Sequence, residues 1–247
     1  MRMIQPVQQQ NYFMRVNGQH QSTVALPPQE MIEYTISPSN IVLFHGRHFL
    51  STLYQSTMTI DNFNYPSVEH YYQACKLYTL AGSESAKRIS GLIEASQCKS
   101  VARNILNAIN VPKGRVEAWR RTDAPEILLY ACVSKFAQSR ELREKLLNTG
   151  DALLVHTFEK DNLYAVGMSE EATKKWAEAN NGKKIRVPRY FYKDWFVQSE
   201  RLPTYNRKGR NILGVMLMAI REAFRPEGGR ADPQIIDIID KIHGPRY

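Results

Sequence analysis

The sequence contains little cysteine and no long apolar run, and each shortage excludes a class of protein. Only three cysteines occur in 247 residues, Cys75, Cys98 and Cys132. Their odd number and wide spacing match neither a disulfide framework nor a metal site. We therefore expect reduced, buried thiols, no bound metal and a reducing compartment, which is the cytoplasm and also allows the nucleus. No stretch approaches the roughly 20 apolar residues of a membrane-spanning helix, and the polar, glutamine-rich start is unlike a signal peptide.

Acidic residues are also scarce relative to basic ones. The chain has 24 Asp and Glu against 33 Lys and Arg, a formal net charge of +9. The isoelectric point near 9.4 favours anionic partners, either nucleotide phosphates or nucleic acid. With 43% hydrophobic residues, a chain of this length can bury one sizeable core, so one main domain is expected.

Composition divides the chain into three parts. Residues 1–38 are rich in glutamine and proline without a regular apolar period, which predicts an N-terminal tail of low order, with an ordered segment wrapped on the domain as the alternative. Residues 39–225 are expected to form the folded domain. Residues 226–247 begin with a Gly-Gly linker and continue as a short helix after Asp232 and Pro233. The isoleucine stripe of that helix docks either on its own domain or on a partner.

Hydrophobic periodicity predicts an α+β fold that is predominantly helical with a few short strands. Short apolar runs bounded by turn residues indicate the strands, and apolar residues spaced by three and four indicate the helices. The predicted strands cover residues 41–44, 58–60 and 153–158. Helices are predicted over residues 85–94, 96–109, 141–148 and 211–224. Further helices are predicted to begin at about residue 68, at residue 123 (running toward 136) and at residue 232.

The stretch YPSVEHYYQACK, residues 65–76, is the most informative for function. Pro66 and Ser67 are typical of a helix start, so a helix from about Val68 is predicted. Four polar side chains then fall on one face at i, i+3, i+4 and i+7, namely Glu69, Tyr72, Gln73 and Lys76. A carboxylate, a phenol, an amide and an amine among aromatic residues suit a pocket. The alternative is a solvated helix face that carries an ion pair.

Basic and aromatic residues are concentrated in residues 173–210. Eleven Lys and Arg stand against three Asp and Glu, which gives +8 of the chain's net +9. Seven aromatic residues are interleaved with these charges. Such a segment could follow a phosphate backbone and stack on bases. Equally, its aromatic residues could pack it onto the domain while the charges stay solvated.

Residues 65–76 resemble the signature helix of the NADAR or YbiA-like family, whose pattern is aromatic-Pro-Ser/Thr-x-Glu-His-Tyr-aromatic-Gln-Ala-x-Lys. Further family blocks occur in the same order over about residues 40–224. These blocks are FHG at 44–46, FLSTLY at 49–54, Trp119, KF at 135–136, TGDALLVHTFEKD at 149–161 and GRNILGVMLMAIRE at 209–222. The resemblance implies a single YbiA-like domain. In it the 173–210 segment is an insert, since many relatives have a short connection there.

The resemblance implies an N-glycosidase, a hydrolase that cleaves the bond between C1′ of a ribose and a base-like nitrogen. Its first implied substrate is ADP-ribosylated guanine, in nucleic acid or as a nucleotide, with possible nucleic acid contact through 173–210. One alternative is an N-glycosidase of phosphorylated ribosylamino-pyrimidine intermediates of riboflavin synthesis. Another is a non-catalytic module that binds ADP-ribose. None of these activities requires a cofactor.

The resemblance also indicates candidate catalytic residues. Cleavage passes through an oxocarbenium-like state, which needs a negative charge near C1′. Glu69 is the first candidate for that charge. Asp161, at the family's acidic position in EKD, is the second, with a turn or cap aspartate as its alternative. Lys76 either binds a substrate phosphate or attacks C1′ to form an imine-type intermediate.

The remaining candidate residues are expected to bind substrate. They are Phe44, Gly46, Arg47, Tyr72, Gln73, Trp119 and Asn211. Trp119 would stack on the base or pack in the core, and Asn211 would contact substrate or cap its helix. His45, His48 and His70 are not counted as catalysts, since lone histidines are usually surface or core groups.

Two departures from the family pattern are expected to change the shape of the pocket. Tyr164 and Ala165 stand where relatives often have Trp-Gly after the aspartate. Thr52 stands where the family usually has asparagine. Both changes leave Glu69 in place, so they bear on the choice of substrate and do not indicate an inactive enzyme.

Overall fold

The computed structural model describes residues 30–189, 202–226 and 231–243. Helices dominate these ranges and the strands are short, which confirms the predicted α+β class. The strands are β1 (Met31–Thr35), β2 (Ile41–Phe44), β3 (Met58–Ile60), β4 (Phe63–Tyr65), β5 (Leu153–His156) and β6 (Lys184–Pro188). The helices are α1 (Val68–Ala81), α2 (Ser83–Ser90), α3 (Ala95–Ala108), α4 (Lys113–Thr122), α5 (Ala124–Gln138), α6 (Arg140–Leu147), α7 (Glu170–Ala179), α8 (Ile212–Phe224) and α9 (Pro233–His243).

Within the described ranges, the strands form three separate pairs. Strands β2 and β5 are parallel, with Phe44 opposite His156 at their carboxyl ends. Strands β3 and β4 form an antiparallel hairpin, whose turn residues Asp61 and Asn62 have φ angles of 51° and 66°. The parallel pairing means that the segments following β2 and β5 leave the sheet at the same edge.

Helices α5 and α8 form the centre of the domain because most of their residues are apolar. Twelve of the 15 residues of α5 and eleven of the 13 of α8 are buried. Helix α1 packs against α2, α3 and α5, while α8 packs against β5. Gly214 permits the close contact between α8 and β5, since a Cβ at this position would lie 2.2 Å from the carbonyl oxygen of Leu154. Helix α1 is therefore supported on several sides, which fixes the direction of its polar face.

The start of α1 agrees with the sequence. It begins at Val68, and the Ser67 side chain accepts a hydrogen bond from the His70 backbone nitrogen at 3.3 Å. Helices α4 and α7 were not predicted. In α4 only Trp119 is buried, and in α7 only Thr173 and Ala177 are buried. Neither helix therefore shows the repeating apolar residues from which a helix is predicted.

The last residues of the predicted N-terminal tail are ordered, which contradicts a tail of low order there and fits the alternative of an ordered wrap. Residues 31–35 form β1, which pairs with β6 in an antiparallel register. The reason is a period-two pattern in which Tyr34 and Ile36 are buried, and a strand buries alternate side chains in this way. Residues 1–29 of the predicted tail lie outside the described residues.

The predicted insert at 173–210 is only partly described, since residues 190–201 lie outside the described ranges. Within its described part, the rings of Trp176 and Tyr205 lie 5.1 Å apart, and Tyr205 is fully buried. Five of its basic residues form ion pairs with acidic residues outside the segment. These pairs are Lys174–Glu170, Lys175–Glu171, Lys184–Glu33, Arg186–Glu33 and Arg189–Glu30. The local excess of charge is therefore smaller than the sequence count suggests, which favours the packing interpretation here.

The C-terminal helix docks on its own domain. Ile235, Ile238 and Ile239 are buried, and α9 packs against α5, as the first of the two alternatives predicts. The predicted Gly-Gly linker and the last residues, 227–230 and 244–247, lie outside the described ranges. No helix in the described part of the chain has the length and apolar character needed to cross a membrane.

The three cysteines are buried in the core, as expected. None forms a disulfide. Burial raises the pKa of the Cys75, Cys98 and Cys132 thiols to about 12. The thiols are therefore protonated at neutral pH and act as small apolar groups in the core.

Candidate active site

A cavity of about 640 Å³ opens between α1, α4, the loop after β2 and the segment after β5. Its volume is in the range of small-molecule sites, which is about 300 to 1,000 Å³. Seven of the ten predicted site residues line it: Glu69, Lys76, Asp161, Gly46, Tyr72, Gln73 and Trp119. The polar face of α1 is thus directed into a cavity and does not form a solvated surface.

The carboxylate of Glu69 is held by two neutral donors. Its Oε2 accepts a hydrogen bond from Thr52 Oγ1 at 3.0 Å, and its Oε1 accepts one from Gln73 Nε2 at 2.8 Å. The Glu69 backbone N–H also donates to the Thr52 carbonyl at 3.0 Å. Among the described residues, no salt bridge reaches this carboxylate, and the alternative of a pair with Lys76 is not formed. A fixed negative charge therefore faces the cavity without a neighbouring cation bound to it.

Two buried polar atoms on the cavity wall have no hydrogen-bond partner among the described residues. They are Oε1 of Gln73 and Nε1 of Trp119, and each side chain is only 3% exposed. Because the Gln73 amide nitrogen donates to Glu69, its oxygen is left as a free acceptor. A buried group without a partner costs about 1–3 kcal/mol. The pair therefore suits a ligand that supplies one donor and one acceptor.

The aromatic wall is formed by Tyr72 and Trp119. Their ring centroids lie 5.2 Å apart in an edge-to-face arrangement with an interplanar angle of 69°. Burial raises the pKa of Tyr72 well above its usual range, so its phenol keeps its proton. The burial of the indole ring matches the core-packing alternative for Trp119, while its unpaired N–H is a hydrogen-bond donor on the cavity wall.

Three lysines line the cavity without an acidic partner in the described parts of the chain. They are Lys76 in α1, Lys99 in α3 and Lys160 after β5. Burial, followed by the nearby charge of Lys99, lowers the pKa of the Lys76 amine. A further cation, Arg120, is already paired with Asp161 at 3.1 Å. Unpaired ammonium groups in a cleft attract an anion such as a phosphate.

Asp161 is bound into a turn as well as lining the cavity. Its Oδ1 accepts hydrogen bonds from the backbone nitrogens of Leu163 and Tyr164, both at 2.9 Å. The same oxygen accepts the bond from Arg120 Nη2 at 3.1 Å. Three donors on one oxygen hold this side chain in the turn, which matches the turn alternative.

Three residues predicted to contact substrate, Phe44, Arg47 and Asn211, do not line this cavity. Phe44 is 1% exposed, because its position at the end of β2 directs its ring into the core, where it stacks on His156 at 5.2 Å. Arg47 is exposed and lies outside the wall. Asn211 is fully buried and binds neighbouring backbone instead. Its Oδ1 accepts from the His156 backbone nitrogen at 2.9 Å, and its Nδ2 donates to the Leu154 carbonyl at 2.8 Å.

His156 lines the cavity and was missed by the sequence reasoning. Its Nδ1 lies 3.4 Å from the carbonyl oxygen of Tyr164, and a carbonyl can only accept, so this nitrogen carries the proton. Burial lowers the pKa of the imidazole, which leaves Nε2 as a neutral acceptor. The sequence feature that could have indicated His156 as a site residue is its position at the end of a buried strand. Phe44 and Asn211 hold His156 in position, which gives both an indirect part in the site.

Two of the residues that depart from the family pattern, Thr52 and Tyr164, line the cavity, whereas Ala165 does not. Thr52 supplies the hydroxyl that binds Glu69. The Tyr164 hydroxyl donates to the Arg120 carbonyl at 3.3 Å, and the Arg120 guanidinium lies 5.7 Å from the Tyr164 ring centroid. The two departures therefore change the wall while keeping a donor for the carboxylate.

The fold and the site together define an α+β domain with a cavity that carries, among the described residues, a carboxylate without a salt bridge and lysines without an acidic partner. The NADAR domain model matches residues 39–186, which is more than half of the chain. This protein belongs to the NADAR domain family.

Two individual proteins are similar to this chain. One is the riboflavin biosynthesis protein VVA0006 of Vibrio vulnificus (strain YJ016), 29% identical over 197 residues. That match covers 78% of this chain but only 39% of the relative, so the chain spans about two fifths of that protein's length. The NMR structure of the E. coli protein YbiA matches with a TM-score of 0.48 at 21% identity, over 76% of this chain and 85% of that one.

Proposed function

We propose that this protein is an N-glycosidase and that its substrate is guanine modified with ADP-ribose, in nucleic acid or as a nucleotide. The observation that carries the proposal is the Glu69 carboxylate, fixed by two neutral donors and without a salt bridge in the described structure. Binding alone gives no reason to keep an unpaired negative charge beside lysines. A developing positive charge on a sugar carbon does give such a reason.

In the proposed reaction the C1′–N bond breaks and the oxygen of a water molecule bonds to C1′. One water proton is lost as the departing nitrogen gains one. Glu69 stabilises the oxocarbenium-like state or takes the water proton. The bonds from Thr52 and Gln73 hold its oxygens in place, so little reorganisation is required during the reaction.

The lysines support a phosphate-bearing substrate. Lys76 lies near Lys99, as the effect of Lys99 on its pKa indicates. In the proposal both amines bind substrate phosphate, which agrees with their lack of acidic partners in the described chain. The grouping of Lys76 with Lys99 supports the phosphate role of Lys76.

The unpaired atoms on the wall support a polar sugar or base in the centre of the cavity. Gln73 Oε1 would accept from a ribose hydroxyl or a base N–H, and Trp119 Nε1 would donate to an oxygen or ring nitrogen. His156 Nε2 offers a further neutral acceptor. Nucleosides present both donors and acceptors of this kind, which is why we prefer them to a purely anionic ligand.

One observation favours a second candidate, the N-glycosidase of phosphorylated ribosylamino-pyrimidines. A relative at 29% identity is named a riboflavin biosynthesis protein. Such a substrate also contains a ribose, a C1′–N bond and a phosphate. The carboxylate and the lysines serve this reaction equally well.

Incubation with each substrate tests the proposal. ADP-ribosylated guanine in single-stranded DNA, the corresponding nucleotide and the phosphorylated ribosylamino-pyrimidine are supplied separately, and the released base is measured by chromatography. We expect faster release from the ADP-ribosylated guanine substrates. Release only from the pyrimidine would establish the second candidate. Tight binding of ADP-ribose without release from any substrate would indicate a binding module.

A further inference from the structure

Phe158 is a large apolar side chain that remains exposed at the mouth of the cavity. Its exposed fraction is 42%, close to the 41% of Phe63. Unlike Phe63, it belongs to the cavity wall. It follows β5 by two residues, after His156 and the buried Thr157. The backbone that positions the interior of the cavity therefore also positions this ring.

One lysine lies over the ring, and a second lysine follows it closely in the sequence. The Lys99 Nζ lies 5.6 Å from the centroid of the Phe158 ring, a cation–π distance. Lys160 follows Phe158 by two residues and also lines the cavity. Neither lysine has an acidic partner in the described parts of the chain. An exposed aromatic face and uncompensated positive charge thus lie together at one edge of the cavity.

This combination fits a particular ligand chemistry. An aromatic ring stacks on any nucleobase, while ammonium groups bind phosphate. A simple apolar ligand gives no reason for the lysines, and a free phosphate gives no reason for the exposed ring. A nucleobase joined to phosphate uses both.

We propose that Phe158, Lys99 and Lys160 form a rim subsite that binds the adenosine end of an ADP-ribosyl substrate. The inference rests on the proposed function, because the ribose that reacts must lie at Glu69, deeper in the cavity. The diphosphate then passes Lys99, and the adenine stacks on Phe158. A ribosylamino-pyrimidine monophosphate has no second base and leaves the ring uncovered.

Calorimetric titration of the full chain with ADP-ribose and with ribose 5-phosphate tests the subsite. The proteins are the wild type, Phe158→Ala and the matched control Phe63→Ala. We expect Phe158→Ala to weaken ADP-ribose binding by about tenfold, the size of one lost base stack, and to leave ribose 5-phosphate unchanged. Phe63→Ala should bind both as the wild type does. Equal weakening of both ligands, or none of either, would overturn the subsite.

A third ligand separates adenosine from a neighbouring nucleotide of a nucleic acid strand. The titration is repeated with an unmodified single-stranded oligonucleotide. If Phe158→Ala weakens only the oligonucleotide, the assignment to adenosine is wrong. Cleavage assays keep this result apart from the reaction itself. If Phe158→Ala turns over ADP-ribosylated guanine with an unchanged KM, the subsite is wrong but the proposed hydrolysis stands. If ADP-ribose binding depends on Phe158 but no protein turns over the substrate, the proposed hydrolysis is wrong but the subsite stands.

Discussion

The hydroxyl of Thr52 donates a 3.0 Å hydrogen bond to Oε2 of Glu69. The loop that carries Thr52 is held in turn by the Lys135 amine, which donates to the carbonyl oxygens of Phe49 at 2.6 Å and Ser51 at 2.9 Å. A chain of contacts thus runs from the last turn of α5 to the carboxylate that the proposed reaction depends on. This chain can be tested at each of its members.

Replacing Thr52 should reduce catalysis more than binding. Thr52→Val keeps the shape of the side chain but removes the donor to Glu69. A hydrogen bond to a charged group is worth about 1.5–3 kcal/mol, so we expect kcat to fall roughly 10- to 100-fold with a smaller change in KM. Thr52→Asn, which restores the usual family residue and a donor, should retain most of the activity. Equal kinetics in the valine and asparagine variants would show that the donor is unimportant.

Lys135 should make stability depend on pH in a defined direction. Burial lowers the pKa of its amine from 10.5 to about 8. Between these values the unfolded chain binds a proton that the folded chain does not, so the Lys135 contribution to the unfolding free energy rises with pH. The neutral amine still has two N–H groups for the two carbonyls.

Urea unfolding of the wild type and Lys135→Met at pH 7.5 and 9.5 measures this effect. The variant leaves two carbonyls without their donor, which costs about 1–3 kcal/mol. We expect the difference between wild type and variant to be larger at pH 9.5. A difference that stays constant or shrinks would contradict the buried, readily deprotonated amine.

Asp161 should matter less for chemistry than Glu69. Asp161→Asn keeps an acceptor for the two backbone N–H groups of the turn but loses the charge that pairs with Arg120. We expect a loss of roughly tenfold or less in kcat, below the 100- to 10,000-fold typical of a general acid or base. Kinetics of Asp161→Asn, with thermal melting as a control for folding, checks this. A loss beyond about 1,000-fold in a folded protein would restore Asp161 as a catalytic residue.

The close packing of α8 on β5 depends on Gly214. Gly214→Ala would place a methyl group 2.2 Å from the Leu154 carbonyl oxygen and 2.5 Å from Asn211 Nδ2. Overpacking of this kind costs about 1–3 kcal/mol. Gly114→Ala in α4, where a Cβ meets nothing within 4 Å, is the matched control and should be neutral or slightly stabilising. Chemical denaturation compares the two, and equal stability would contradict the described contact.

Local patterns in the sequence were enough to predict the polar face of α1. Glu69 and Lys76 are seven residues apart on one helix, so their common direction follows from helical geometry alone. The ends of β2, β3 and α8 were also predicted within one or two residues. In each case the signal lies in neighbouring residues and needs no knowledge of the rest of the chain.

The remaining features depend on residues far apart in the sequence. Strand β1 is stabilised by β6, about 150 residues later, so its own short pattern resembled a tail. Asn211 contacts His156 across 55 residues, which no local pattern reveals. The ion pairs that offset the charge of 173–210 likewise involve Glu30 and Glu33. These features depend on tertiary contacts between distant residues, and a short window of sequence does not contain both partners of such a contact.

The most direct measurement of the central claim compares Glu69→Gln with the wild type on ADP-ribosylated guanine. The amide keeps the shape of the side chain but has no charge to stabilise an oxocarbenium-like state. Glu84→Gln, which changes an exposed glutamate outside the cavity, is the control. We expect Glu69→Gln to bind ADP-ribose but to release guanine at least about 1,000-fold more slowly than the wild type, while the control is unaffected. Release by Glu69→Gln within a few fold of the wild-type rate would contradict the catalytic role of Glu69.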